Sequence, residues 1–187
     1  MIVIRAATPA DAATIAAIYA PHVLSGTVSF ETEAPDVPQM RHRMTASDGL
    51  YPWLVATSGA GEGAAVVGYA YATRFRERAA YRFVVETSIY LADTVQRQGV
   101  GRLLYEALLA TLRAQGFTQA IGVIALPNDR SVALHEAVGF VQAGIYREVG
   151  YKHAQWVDVG FWQCVLNESA VPPAEPRRFA DIGMIRA

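Results

Sequence analysis

Residues 81–91 alternate between two sets of positions with the two-residue period of a β-strand. One predicted face carries Phe83, Val85, Thr87, Ile89 and Leu91, and the other carries Val84, Glu86, Ser88 and Tyr90. The first face is typical of a protein core. The second face holds the strand's only carboxylate, and a carboxylate in an otherwise apolar strand is costly unless it is hydrogen-bonded or functional.

A helical period replaces this alternation over residues 99–115. Apolar positions recur there at three- and four-residue spacing, which predicts a helix with one buried stripe made of Val100, Leu103, Leu104, Ala107, Leu108 and Leu112. Gly116 is expected to end this helix because glycine readily adopts the left-handed conformation found there.

The rest of the chain mixes the two periods. Strands are predicted over 2–5, 53–57, 65–73, 120–126, 140–148 and 156–166, and helices over 8–19, 37–45 and 131–138. Pro21 is expected to close the first of these helices. In the middle of the chain the predicted strands alternate with helices, and at the end two strands follow one another directly. This order predicts an α/β (α+β) fold built around a mixed sheet. We predict one domain over residues 1–166 and a proline-containing tail, residues 167–187, without a periodic pattern.

Composition narrows the class of protein. The chain is 52% hydrophobic and only 18% charged, below the roughly 25% of an average domain, which predicts a sizeable core rather than disorder. A net charge of −1 gives no basic excess for nucleic acid or an anionic membrane. No apolar run approaches the ~20 residues of a membrane-spanning helix, and residues 1–5 do not resemble a secretory signal, so a cytoplasmic protein is expected.

Metal and disulfide chemistry is not expected. Cys164 is the only cysteine, so the chain cannot form an internal disulfide, and most thiolate metal sites are excluded. His22, His42 and His153 show no metal-ligand spacing. Cys164, within an apolar strand, is interpreted as a small buried hydrophobe.

A glycine motif precedes the most regular helix. Residues 96–102 read Gln-Arg-Gln-Gly-Val-Gly-Arg, and glycines before a helix N-terminus allow backbone amides to approach a phosphate. A Walker loop would require Lys-Ser/Thr after the last glycine, which is absent, and Leu104 occupies the position of a third glycine in a dinucleotide fingerprint. A tight turn that begins a helix is the alternative interpretation.

The spacing of this motif resembles the pyrophosphate-binding segment of the GCN5-related N-acetyltransferase superfamily. Asn128 at the end of the next strand, and Ser131 three residues later, follow at that superfamily's usual spacing. Further segments are similar to the phosphinothricin/methionine sulfoximine N-acetyltransferase branch: YPWLVA at 51–56, VETSIY at 85–90, LHE at 134–136, GYK at 150–152 and WVDVGFWQ at 156–163. Together with the glycine motif, they extend over about residues 28–163.

This resemblance implies a central sheet that splays open between the strands at 81–91 and 120–126, is flanked by helices, and holds acetyl-CoA as co-substrate. The cofactor-binding residues it implies are the strand amides of Ile89, Tyr90 and Leu91, the motif residues Arg97, Gln98, Gly99, Val100, Gly101 and Arg102, and Asn128 and Ser131. Asn128 equally fits the N-cap of a helix, and the two interpretations are compatible.

Two residues are candidate catalytic groups. Transfer to an amine needs a base, because the amine arrives protonated at neutral pH, and the family counterpart of Glu86 is the proposed base. An outward-facing, solvated glutamate is the alternative. His135 stands where most of the superfamily has a tyrosine, and it could protonate the departing thiolate or relay the amine proton. It could equally be a hydrogen-bonded core histidine.

The branch also implies an amino-acid site, formed by Phe30, Arg76, Arg78, Tyr81, Thr87 and Ser88. Without the resemblance, the arginine segment would be read as a solvated loop. Glu31 follows Phe30 where phosphinothricin-resistance enzymes have arginine. A negative charge there would disfavour an anionic phosphinate, so methionine sulfoximine or sulfone is expected to react faster than phosphinothricin.

The resulting hypothesis is an acetyl-CoA-dependent N-acetyltransferase that acts on a small polar amino acid by direct attack in a ternary complex. The alternatives are a non-catalytic acyl-CoA sensor and an acetyltransferase for a different amine or a peptide N-terminus. The resemblance also implies a homodimer that uses the last strands, with the proline-containing tail as a further candidate for the interface, and no nucleic-acid or membrane partner is expected.

Overall fold

A computed structural model describes residues 1–61, 63–95 and 98–186 of this chain. The strands are β1 (Ile2–Ala6), β2 (Trp53–Ser58), β3 (Ala65–Arg74), β4 (Val84–Leu91), β5 (Gln119–Leu126), β6 (Val141–Lys152) and β7 (Gln155–Val165). The helices are α1 (Ala12–Leu24), α2 (Val37–Thr45), α3 (Val100–Gln115), α4 (Asp129–Ala137) and α5 (Phe179–Ile182). The predicted mixed α/β fold is confirmed.

The strands form one sheet in the order β1-β2-β3-β4-β5-β7-β6. Adjacent strands run antiparallel, except that β4 and β5 run parallel. The parallel pair is hydrogen-bonded only from Val84↔Gln119 to Thr87↔Gly122. Beyond that point β4 stays paired with β3 as far as Leu91, and β5 stays paired with β7 as far as Leu126. The two strands therefore diverge in the middle of the sheet, which confirms the predicted splay.

Both faces of the sheet are covered. Helix α3 packs a large core against one face, with Leu104, Tyr105 and Leu108 fully buried. Helices α1 and α2 cover the other face, where the Tyr90 ring lies 4.8 Å from that of Tyr19. The face of β4 that carries Glu86 is therefore packed against α1 and α2 and is not simply a solvent-exposed face.

Two details of the predicted helices are wrong. Helix α1 continues to Leu24 with Pro21 inside it. Its last turn buries Val23 in the core between α1, α2 and the sheet, and this burial offsets the loss of the backbone hydrogen bond that proline cannot donate. Leu103, predicted on the buried stripe of α3, is exposed, and Tyr105 lies in the core instead.

The last two strands form a longer hairpin than predicted. They meet at a two-residue turn in which His153 and Ala154 have φ of 50° and 59°. Neither residue type signals such a turn, since asparagine, aspartate and glycine are the usual occupants of positive-φ positions.

The tail is docked on the domain. The Arg177 amide donates to the Gln115 carbonyl at 2.7 Å, and the buried Gln115 Nε2 donates back to the Arg177 carbonyl at 2.7 Å. Phe179 and Met184 pack against the large core. Within the described ranges, no helix is both long enough and apolar enough to cross a membrane.

Candidate active site

A cleft of about 510 Å³ opens where β4 and β5 diverge. Its wall consists of His22, Val28, Ile89, Tyr90, Leu91, Gly99, Gly101, Arg102, Asn128, Arg130, Ser131 and Leu134. A smaller cavity of about 50 Å³ shares Val28, Ile89 and Asn128 with this cleft and reaches Thr87 and His135. The splay is therefore an open passage beside the unpaired edge of β4.

The glycine motif lies at one end of this cleft. Gly99 adopts a left-handed conformation with φ of 77° and precedes the first turn of α3, whose amides lack helical acceptors. An anion can therefore bind there through backbone N–H groups and the helix dipole. The predicted residues Gly99, Gly101 and Arg102 line the cleft, whereas Val100 is buried. The side chain of Gln98, also predicted to bind the cofactor, donates a hydrogen bond to the Thr94 carbonyl at 3.1 Å. Arg97, the remaining predicted residue of the motif, lies outside the described residues.

Gly101 has a packing role that the motif alone does not predict. A Cβ at this position would lie 3.1 Å from Leu134 Cδ2 and 3.4 Å from Leu91 Cδ1. Glycine thus allows α3 to approach α4 and β4 closely. Any side chain at this position would press on two residues that themselves line the cleft.

Asn128 is the N-cap of α4, and its Oδ1 accepts a hydrogen bond from the Ser131 amide at 3.2 Å. Both residues also line the cleft. The N-cap interpretation is therefore confirmed, and contact with a bound pantetheine arm stays a prediction.

Glu86 projects from β4 on the face covered by α1 and α2. Its side chain is 32% exposed, and its carboxylate lies 4.0 Å from the Arg76 guanidinium. Burial raises the pKa of the Glu86 carboxyl above its ordinary value, and the charge of Arg76 opposes that rise. A partly buried carboxylate with a raised pKa, next to the splay, can accept a proton from an amine.

His135 lies on the opposite face, in a hydrogen-bonded chain with Tyr105 and Thr87. Its Nδ1 is 2.7 Å from the Ser131 carbonyl, which can only accept, so we assign the proton to Nδ1. Burial lowers the pKa of His135, which keeps the ring neutral, and Nε2 accepts from the Tyr105 hydroxyl at 2.8 Å. The Tyr105 oxygen is in turn 3.4 Å from Thr87 Oγ1. Both ring nitrogens are engaged, so proton donation by His135 requires one of these bonds to break.

The His135 ring also sits at the point of divergence. A Cβ on Gly122, the last residue of β5 paired with β4, would lie 2.5 Å from His135 Cδ2. Glycine at this position makes room for the ring against the sheet. Neither Gly122 nor Tyr105 could be predicted as a partner of His135, because only the tertiary structure brings them to its ring.

Protonation of the buried His135 is expected to destabilise the fold as the pH falls. The unfolded chain takes up this proton near pH 6.5 and the folded protein only at lower pH, so stability is lost below about pH 6.5. Urea unfolding at pH 7.5 and 5.5 should therefore show a smaller loss in His135→Gln than in the wild type. His42→Gln, at an exposed position on α2, is the matched control, and an equal loss in His135→Gln and the wild type would contradict the assignment.

The predicted amino-acid residues are divided between two faces. Ser88 lies on the Glu86 face, whereas Thr87 points toward Tyr105 on the other. Arg76 and Arg78 share a cavity of about 410 Å³ with Arg82, whose guanidinium is paired with Glu175 of the tail.

The two predicted aromatic residues are partly exposed. Tyr81 packs edge-on against Phe75, with ring centroids 5.7 Å apart. Phe30 covers Gly150, where a Cβ would collide with its ring. The loop that carries Phe30 is fixed by Lys152, a buried residue for which the local sequence gives no functional signal. Its Nζ donates to the carbonyls of Val23 at 2.6 Å and Ser29 at 2.7 Å.

Glu31 does not present a free negative charge, and the expected faster reaction of methionine sulfoximine or sulfone than of phosphinothricin stays a prediction. Its two oxygens accept from Arg43 at 2.7 and 2.8 Å, and the Tyr19 hydroxyl donates to one of them at 2.8 Å. The Arg43 guanidinium lowers the pKa of Glu31 and balances its charge. In the described part of the chain, no group of three or more His, Cys, Asp or Glu residues could hold a metal ion.

Comparisons with known proteins agree with this architecture. A family model described as an acetyltransferase (GNAT) domain matches residues 4–160. The chain is 42% identical over 174 residues to a phosphinothricin N-acetyltransferase of Streptomyces viridochromogenes, with 92% of this chain and 93% of the relative covered. It is 35% identical over 171 residues to an L-methionine sulfoximine/L-methionine sulfone acetyltransferase of Pseudomonas aeruginosa, with 91% and 98% covered.

A solved structure gives the same result. A GNAT superfamily phosphinothricin acetyltransferase from Sinorhizobium meliloti, in complex with acetyl-CoA, superposes with a TM-score of 0.85 at 38% identity, covering 93% of this chain and 94% of that one. With the matched family model and these relatives, the chain belongs to the GNAT acetyltransferase family.

Proposed function

We propose that this protein transfers the acetyl group of acetyl-CoA to the α-amino group of a small polar amino acid or analogue, such as methionine sulfoximine, methionine sulfone or phosphinothricin. One observation carries the proposal: the Glu86 carboxylate lies beside the splay of β4 and β5, at whose edge the glycine-led helix α3 begins. The names of the relatives supply the substrate class.

Acetyl-CoA would enter the cleft with its pyrophosphate on the amides of the glycine motif and its pantetheine arm along the free edge of β4. The shape and polarity of the cleft support this arrangement. The cleft is open, it is apolar along Leu91 and Leu134, and it ends at a helix N-terminus that can bind an anion. Asn128 and Ser131 would contact the arm from the opposite wall. When bound, acetyl-CoA supplies the thioester carbonyl that the amine attacks.

Glu86 would take the proton from the substrate's ammonium group. The free amine nitrogen would then bond to the thioester carbon and the carbon–sulfur bond would break. The proton that the nitrogen loses as the amide forms would pass to the departing sulfur, so that CoA leaves as the thiol. Strand amides near Ile89 would donate to the developing oxyanion. Arg76, 4.0 Å from Glu86, would hold the substrate's carboxylate, with Arg78 adding positive charge, and Phe30 and Tyr81 would flank its aliphatic stem.

A thiol-release assay with acetyl-CoA tests the proposal. Methionine sulfone, methionine sulfoximine and phosphinothricin are expected to release CoA and yield N-acetyl products by mass spectrometry. Because Arg43 neutralises Glu31, phosphinothricin is not expected to be excluded. The matching amines without a carboxylate should react far more slowly. Binding of acetyl-CoA without release for any amine would favour the acyl-CoA sensor, and preference for peptides would favour the peptide acetyltransferase.

The proposal includes a homodimer formed through the β6–β7 hairpin. This hairpin ends the sheet and leaves the large side chains of Tyr146, Tyr151 and Trp156 about 60% exposed. Aromatic residues clustered on a surface are typical of protein interfaces.

Trp156→Glu is therefore expected to yield a monomer in sedimentation equilibrium, while the wild type sediments as a dimer. The reason is that a charge replaces an apolar contact in the interface. Val171→Glu, which changes an exposed apolar residue of the tail, is the control and should remain dimeric. A monomeric wild type, or a dimeric Trp156→Glu variant, would contradict this interface.

A further inference from the structure

The cavity that contains Arg76 and Arg78, which we call the arginine cavity, is bounded on one side by the C-terminal tail. Its volume is about 410 Å³, and Glu175 and Pro176 of the tail belong to its lining. The Arg76 guanidinium connects the cavity to the proposed catalytic base, since it lies 4.0 Å from the Glu86 carboxylate. The tail thus supplies two residues of the cavity in which the proposed function puts the substrate's carboxylate.

The tail residues next to this wall are held by main-chain hydrogen bonds. The buried side chain of Gln115 donates from Nε2 to the carbonyl oxygens of Arg177 and Leu50, each at 2.7 Å. The Phe179 amide donates to the same Leu50 carbonyl at 3.2 Å, and Phe179 packs against the large core. Leu50 is itself part of the cavity lining. One buried amide group therefore joins two walls of the cavity, which gives Glu175 a defined place beside the arginines.

Glu175 contacts the arginine-containing segment through Arg82. The Arg82 Nε donates to both carboxylate oxygens of Glu175, at 2.9 and 3.0 Å, and one terminal nitrogen of Arg82 lies 2.8 Å from the nearer oxygen. The other terminal nitrogen donates to the Ala79 carbonyl at 3.2 Å. Ala79 begins a short 3-10 turn that directly follows Arg78 and ends at Tyr81. The Arg82 guanidinium therefore connects the tail to the backbone between two residues of the proposed amino-acid site.

Carboxylates already pair with two of the four guanidinium groups in this cavity. These ion pairs are Arg74–Glu77 at 2.9 Å and Arg82–Glu175 at 2.8 Å. Arg76 is the guanidinium near Glu86, and in the described part of the chain no carboxylate pairs with Arg78. The positive charge available to a ligand is therefore concentrated at Arg76 and Arg78. An unpaired Arg82 would instead compete for the substrate's carboxylate at a position away from the base.

We infer that the tail forms one wall of the amino-acid site and that Glu175 is a positioning residue for the substrate's carboxylate. Glu175 acts through Arg82, which fixes the turn after Arg78 and, while paired, does not bind the substrate. This inference rests on the proposed function, because it takes the carboxylate to be bound by Arg76 with Arg78 nearby. The Arg82 and Glu175 side chains are 49% and 66% exposed, so loss of the pair alters the site and leaves the core intact.

Glu175→Gln removes the charge and keeps the shape of this side chain. In the thiol-release assay, kcat/KM for methionine sulfone is expected to fall about three- to fivefold, as for loss of an exposed ion pair, with KM for acetyl-CoA unchanged. kcat/KM for the matching amine without a carboxylate should keep its wild-type value, because that amine does not use the carboxylate site. The ratio of the two kcat/KM values therefore measures carboxylate positioning, whereas a general structural loss would lower both alike.

A double-mutant cycle tests whether Glu175 acts through Arg82. Arg82→Gln should lower the same ratio at least as much as Glu175→Gln, and the double variant should lower it no further than Arg82→Gln alone. Glu168→Gln, which changes another exposed glutamate of the tail outside the cavity lining, is the matched control and should keep the wild-type ratio. Thermal unfolding establishes that each variant is folded, and if one single variant is not, the ratio in the other decides the matter.

The outcomes separate this inference from the proposed function. An unchanged ratio in Glu175→Gln, equal losses for the amino acid and the amine, or additive losses in the double variant would each overturn the positioning role, although the wild type turns over. Absence of thiol release by the wild type with every amino acid would instead overturn the proposed function and, with it, this inference.

Discussion

Glu86→Gln is expected to lower kcat by roughly 10²–10⁴-fold and to leave acetyl-CoA affinity unchanged. Glutamine keeps the shape of the side chain but cannot accept the ammonium proton. Burial raises the pKa of Glu86, so the wild-type kcat/KM should fall on the acid side as the pH drops through that raised value. The variant should lack this limb and regain activity at alkaline pH, where the free amine is already present in solution.

Glu77→Gln is the matched control, because Glu77 lies in the same segment as Arg76 and its side chain is 91% exposed. It should retain the wild-type kcat and the acid limb. Steady-state kinetics across pH, with calorimetric measurement of acetyl-CoA binding, provide the comparison. A Glu86→Gln variant with normal kcat at every pH would exclude the base role.

Gly101→Val should weaken acetyl-CoA binding by at least tenfold, or about 1.4 kcal/mol. The added side chain would press on Leu134 and Leu91, which line the cleft, and would push α3 away from α4. The amides that meet the pyrophosphate would then move with the start of α3.

Isothermal calorimetry on the folded variant measures this affinity. Gly144→Val is the matched control, since a Cβ at Gly144 meets no atom within 4 Å and its φ is not positive. It should bind acetyl-CoA like the wild type. Unchanged affinity in Gly101→Val would refute the assignment of the glycine motif to the cofactor.

Some features could be predicted because they depend on local sequence. The alternation in β4, the helical period of α3 and the glycines before that helix each act over a few residues, and their order along the chain identifies the family's cleft. Glu86 stood out for the same reason, since one carboxylate interrupted an apolar strand.

The arrangement around these features depends on residues that are far apart in sequence. Arg43 neutralises Glu31 only because α2 packs beside the loop after α1, and a sequence-based charge argument could not detect that pairing. Likewise, the tail has no periodic pattern, yet Gln115 holds it: the backbone carbonyl of Gln115 accepts from the Arg177 amide, and its side-chain Nε2 donates to the Arg177 carbonyl.

By itself, the sequence determined that this chain folds as a mixed α/β domain with a glycine-led helix next to a strand that carries Glu86. Only the tertiary structure decided that Glu86 and His135 lie on opposite faces and that Tyr105 and Gly122 fix the His135 ring. The physical reason is that periodicity specifies which side of an element is buried, whereas packing between distant elements decides which side chains meet there.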